Sequence, residues 1–86
     1  MKKKKIIIRE KKLWTDEEYD FLKSVGNNIV RLKKENNLTS KQVCDELEMD
    51  KSNFRRIEAG RTNISLLLLR RIAKVLGTDL SEITGK

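Results

Sequence analysis

The sequence predicts an all-α fold, a compact bundle of four to five helices behind a basic N-terminal arm. Two observations carry this. Thr15 with Glu18, and Thr39 with Gln42, each set a hydroxyl three residues ahead of a Glu or Gln, the pattern in which the two side chains satisfy each other's free backbone N–H at a helix start. Behind these starts apolar residues recur every three or four positions, and the runs stop at Asn or Gly, which tolerate the left-handed backbone of a helix end.

Residues 1–14 are the arm and residues 15–86 the domain. The arm holds seven Lys or Arg against one Glu, whereas the rest of the chain carries 13 basic and 12 acidic side chains and is nearly neutral. Three readings fit its K-K-K-K-I-I-I-R-E-K-K: a disordered arm that adds phosphate contacts, a strand paired with a partner chain, since no second strand is available here, or a solubilising tail. Ile6 to Ile8 is too short for a signal-peptide core, and no apolar run approaches the ~20 residues of a membrane span. A soluble, unprocessed, cytoplasmic and nucleoid-associated chain is expected, with no membrane partner.

The domain's first helix starts near Asp16. Trp14, just before the cap, is placed to pack on Tyr19 as a hydrophobic staple or to mark an interface. Asp16, Glu17 and Glu18 suit the positive end of the helix dipole. Phe21, Leu22, Val25, Ile29 and Leu32 then keep one apolar stripe going toward Asn36 and Asn37. Gly26 lies in the middle of this stripe and costs about 1 kcal/mol relative to Ala. One long helix and a helix broken near Gly26 both remain open.

Residues 39–59 read as two short helices joined by a tight corner. Val43, Cys44 and Leu47 share the inner face of the first. Only Glu48 and Met49 separate it from Asp50, the next N-cap candidate, so the helices cross sharply with Met49 as the apolar plug. The second helix runs from Lys51 to about Ala59. At 100° per residue Phe54 and Ile57 point inward, Ser52, Arg55 and Arg56 point away, and Lys51 and Asn53 flank them. A face with these five residues and no acid before Glu58 suits the major groove of DNA, where Arg and Lys match guanine, Asn matches adenine and Ser serves either. The plain alternative is a solvated polar face on a helical hairpin.

Gly60 ends that helix, and Arg61, Thr62 and Asn63 form a polar loop. Ser65 or Asn63 caps a fourth helix to about Leu76, stopped by Gly77, with Leu66, Leu69, Ile72, Ala73 and Leu76 on the core side. Leu67, Leu68 and Val75 are more apolar surface than one small core requires, which suggests a homodimer interface. The alternative is cover from the short closing helix at 79–83 or from the N-terminal segment.

With 86 residues, 5% aromatic and 38% charged, the chain makes one small, mostly aliphatic core near the lower size limit for standing alone. The net charge of +7 favours an anionic partner, nucleic acid before membrane surface. Cys44 is the single cysteine and histidine is absent, so neither a zinc site nor an internal disulfide can be built within one chain, and no metal or cofactor is expected. Without a Gly-rich phosphate loop, and with no base to activate Cys44, an enzyme is not expected.

Three segments carry a family resemblance: I-V-R-L-K-K-E-N-N-L-T at 29–39, I-E-A-G-R-T-N-I-S-L at 57–66 and R-I-A-K-V-L-G at 71–77. Residues 28–80 resemble the lambda/434 repressor and Cro-like family of helix-turn-helix DNA-binding domains, also called the XRE family. The resemblance implies base reading by Lys51, Ser52, Asn53 and Arg56, with Arg55 as a second reader or a phosphate clamp. It also places Ser40 at the DNA backbone and residues 61–63 in the loop that approaches phosphates. Lys41 joins Ser40, Arg61, Thr62 and Asn63 as a phosphate candidate. The chain departs from the family at three positions: Ser40 replaces the usual Gln, Glu48 replaces the corner Gly, and Lys33 faces Glu58 where the family has an Arg to Glu pair.

The function this implies is sequence-specific, double-stranded DNA binding by a transcriptional regulator, a homodimer on a near-palindromic operator. Restriction-modification controller, phage repressor and antitoxin are all compatible. The alternative is a protein-interaction adaptor of the same fold, bound through the helix at 65–76.

Overall fold

The computed structural model describes residues 13–85, so the expectations for the arm at residues 1–12 fall outside the described residues. Thr15 caps α1 (Asp16–Glu35) with the expected box: its hydroxyl accepts the Glu18 N–H at 3.1 Å and the Glu18 carboxylate accepts the Thr15 N–H at 2.9 Å. Trp14 meets Tyr19 edge to face with centroids 5.2 Å apart, so the staple is the arrangement adopted. The helix runs unbroken through Gly26. A Cβ there would lie 2.2 Å from the Glu58 carbonyl oxygen, so this glycine serves a close approach of two backbones and not a break.

Thr39 and Gln42 form the second box at the head of α2 (Ser40–Leu47). The corner follows, and α3 (Lys51–Glu58) starts at Asp50. Asp50 is the N-cap by position only, because its carboxylate accepts the Ser52 hydroxyl instead of a backbone N–H. Ser65, not Asn63, caps α4 (Leu66–Leu76) by accepting the Leu68 N–H at 3.1 Å. The closing helix is α5 (Leu80–Thr84), tied to α1 by the Asn28 amide, which donates to the Ile83 carbonyl at 2.8 Å. No strand occurs among the described residues, and no helix among them is long and apolar enough to cross a membrane.

The first four helices end alike. A left-handed residue, Asn37, Glu48, Gly60 or Gly77, lets the next N–H reach back to a carbonyl of the last turn, as Met49 does to Cys44 at 2.9 Å. Glu48 holds φ 54 with a Cβ in place, which costs roughly 1–2 kcal/mol. Replacing Glu48 by Gly is therefore expected to raise stability by ~0.5–1 kcal/mol, after the extra freedom of glycine in the unfolded chain is subtracted. Urea unfolding of the two proteins measures it; equal midpoints would show that the strain at Glu48 is no larger than glycine's entropic cost.

The core draws on every helix. Val25, Ile29 and Leu32 of α1 meet Val43 and Cys44 of α2, Phe54 and Ile57 of α3, four residues of α4 and Ile83 of α5. Met49 is half-buried against this core, as expected of the plug. Two expected core residues are elsewhere. Phe21 is 52% exposed and Leu66, the first residue of α4, is 72% exposed. At α4 the loop residue Ile64 packs on the core where Leu66 was expected.

Candidate nucleic-acid interface

Helix α3 has two opposed sides. Phe54 and Ile57 are buried, so the 100° step puts Lys51, Ser52, Asn53, Arg55 and Arg56 outside, and all five are exposed. Among the described residues the ion pairs are Arg31–Glu35, Lys33–Glu58 and Lys41–Asp45, so none engages the three cations of this face. The positive charge of α3 is thus carried on its surface with no ion pair to another described residue.

The loop after α3 comes back alongside it. Asn53 and Arg56 share an open cleft of about 320 Å³ with Thr62, Asn63 and Ser65, floored by Met49, Ile57, Ile64 and Leu68. Two base-reading candidates and two phosphate candidates are therefore brought together. Arg61 is exposed on the other side of the loop, in a second cleft with Trp14, Tyr19 and Lys23. Gly60 makes this turn possible with φ 73, and a Cβ there would come 2.7 Å from the Lys23 Cα.

Ser40 and Lys41, at the start of α2, are placed differently from each other. Lys41 is exposed and pairs with Asp45 at 2.9 Å, an i,i+4 pair worth only ~0.3–0.5 kcal/mol and readily exchanged for another anion. Ser40 is half-buried, and its hydroxyl accepts from Lys33 Nζ at 2.8 Å. That ammonium also donates to Glu58 Oε2 at 2.7 Å and lies 5.6 Å from the Phe54 ring centroid. Lysine makes one bond to the carboxylate in place of an arginine fork, and its second donor goes to Ser40. A single cation thus joins α1, α2 and α3, with Lys33 and Glu58 each only 14% exposed. The resemblance pointed to the Lys33–Glu58 pair, but the part Ser40 takes in it was not visible in the sequence.

Cys44 is buried on the inner face of α2, and loss of hydration pushes its thiol above the usual range, with Lys51 pulling the other way. A neutral, enclosed thiol fits a packing role. On α4, Leu67 is 57% exposed, while Leu68 and Val75 are half-buried against the chain's own core. Among the described residues no group of His, Cys, Asp or Glu could hold a metal ion.

Two short helices crossing at a tight corner, the second with a polar, cationic outer face, define a helix-turn-helix domain. A family model described as a helix-turn-helix domain matches residues 25–84, and the chain belongs to that family of DNA-binding transcriptional regulators, in its lambda/434 repressor and Cro-like branch. It is 34% identical over 59 residues to control protein C.MunI of Mycoplasma sp, a match covering 67% of this chain and 80% of that protein. It is 35% identical over 63 residues to the immunity repressor protein of Bacillus phage phi105, covering 73% of this chain but 44% of the repressor, less than half its length. Its fold superposes on the crystal structure of the restriction-modification controller protein C.AhdI from Aeromonas hydrophila with a TM-score of 0.68, 22% identity and coverage of 72% of this chain and 94% of that one.

Proposed function

We propose that this regulator binds a near-palindromic operator as a homodimer, with α3 of each copy in the major groove. The observation that carries this is the outer face of α3: five exposed donors and acceptors, three of them cations unpaired among the described residues, on a helix pinned by Phe54 and Ile57. Lys51, Ser52, Asn53 and Arg56 read bases, and Arg55 reads a base or clamps a phosphate. Ser40, Lys41, Arg61, Thr62 and Asn63 hold the DNA backbone and fix the register of α3. Ser40 keeps its own proton for a phosphate, because Lys33 takes one of its lone pairs.

One α3 contacts only a few base pairs, so a two-fold pair with half-site centres about 34–36 Å apart is the physical expectation. Leu67, with Leu66 beside it and Leu68 and Val75 partly covered, supplies the apolar area for a second copy on α4. Within the family, the control-protein role draws support from the match to C.MunI, which spans most of that protein.

Arg56→Ala is expected to cost ~1–3 kcal/mol on the preferred sequence and to relax selectivity at one base position. Arg61→Ala is expected to weaken preferred and random duplexes alike. Mobility-shift titrations at about 150 mM salt measure both, since residual sequence preference at that ionic strength separates reading from simple charge attraction. Equal losses for both variants on both kinds of DNA would refute the division of roles.

A further inference from the structure

Asp50 and Ser52 limit what the head of α3 can recognise. Asp50 caps no backbone N–H, and its Oδ2 accepts the Ser52 hydroxyl. The same exchange recurs at α5, where Asp79 also caps no backbone N–H and accepts the Ser81 hydroxyl at 2.9 Å. The pairing therefore follows from Asp-x-Ser at a helix start and not from one local environment. A hydroxyl has one proton, and a carboxylate has none to give. Once the Ser52 proton is committed to Asp50, both side chains face outward with lone pairs only.

A free serine can serve any base, as donor or acceptor. Bound to Asp50, Ser52 can only accept. In the major groove the donors are the exocyclic amino groups, N4 of cytosine and N6 of adenine, whereas guanine N7 and O6 and thymine O4 are acceptors. An acceptor opposite Ser52 would gain no hydrogen bond and would also meet the Asp50 carboxylate. We propose that Asp50 is a specificity-determining positioning residue: it fixes Ser52 as an acceptor, so that the base opposite Ser52 is recognised through its exocyclic amino group. This rests on α3 being the reading helix.

The test uses the full chain and its Ser52→Ala and Asp50→Asn variants, each checked for unaltered thermal unfolding, in selection of bound sites from random duplexes. Ser52→Ala is expected to flatten one position of the recovered motif. Either strand could supply the contact there, so single functional groups are removed next: purine for adenine or 2-pyrimidinone for cytosine deletes the amino group, and 7-deazaguanine deletes an acceptor. Loss of the amino group is expected to weaken the unmodified protein roughly 5- to 10-fold, the value of one hydrogen bond between uncharged groups, and to leave Ser52→Ala unchanged. Asp50→Asn, whose amide offers donors as well as an acceptor, is expected to admit guanine or thymine at that position. The proposal is overturned if deletion of the amino group is silent while 7-deazaguanine is costly, if Ser52→Ala leaves every position as selective as before, or if Asp50→Asn leaves the profile unchanged. Recovery of no motif at all would instead refute α3 as the reading helix, and the proposal with it.

Discussion

Gly26→Ala is expected to destabilise the domain by ~2–3 kcal/mol, even though alanine is the better helix former by about 1 kcal/mol. The added methyl would sit 2.2 Å from the Glu58 carbonyl oxygen, 2.7 Å from its carbon and 2.8 Å from the Ile57 carbonyl oxygen. All three are backbone atoms, so no rotamer relieves the clash and the end of α3 must move away from α1. Specific DNA binding should fall further than the loss of folded protein explains, because the displaced element is the one proposed to read bases. Urea unfolding and binding titration on the same samples check both parts. A neutral or stabilising effect would mean that the two backbones are not in contact.

Glu58→Ala and Lys33→Met are each expected to cost about 3 kcal/mol, the size typical of removing one partner from a largely buried ion pair. Glu58→Ala leaves the Lys33 ammonium facing only the Ser40 hydroxyl and the Phe54 ring, while Lys33→Met leaves a carboxylate without its cation. The double variant should cost clearly less than the two singles together, since no unpaired charge remains inside. Ser40→Ala removes one neutral acceptor and should cost about 1 kcal/mol. Thermal or denaturant unfolding of the parent and these four variants tests the set, and additive losses would show that Lys33 and Glu58 act independently.

Local signals made most of the fold legible. Both capping boxes, the corner at Glu48 and the inward residues Phe54 and Ile57 depend on neighbours within one or two turns, and each is where the spacing put it. What the sequence left open or misplaced depended on distance along the chain. Gly26 could not be told from a helix break, because its reason is a carbonyl 32 positions later. Phe21 and Leu66 followed the apolar spacing, but spacing does not say where the globule's edge falls. The outer face of α3 was readable from residue types alone. The Lys33–Ser40 contact was not, because its partners lie on different helices; the Asp50–Ser52 pairing has a local signature, Asp-x-Ser at a helix start, that stands out only once Asp79 and Ser81 repeat it.

The central claim is that the outward side of α3 meets the duplex, and amide chemical-shift mapping measures it directly. The ¹⁵N-labelled chain is titrated with a selected duplex at about 150 mM salt, where loose charge attraction is weakened. The account predicts the largest shifts at residues 51–56 and in the loop at 61–63, with α5 nearly still. Shifts centred on α4 and α5, with residues 51–56 unmoved, would contradict it.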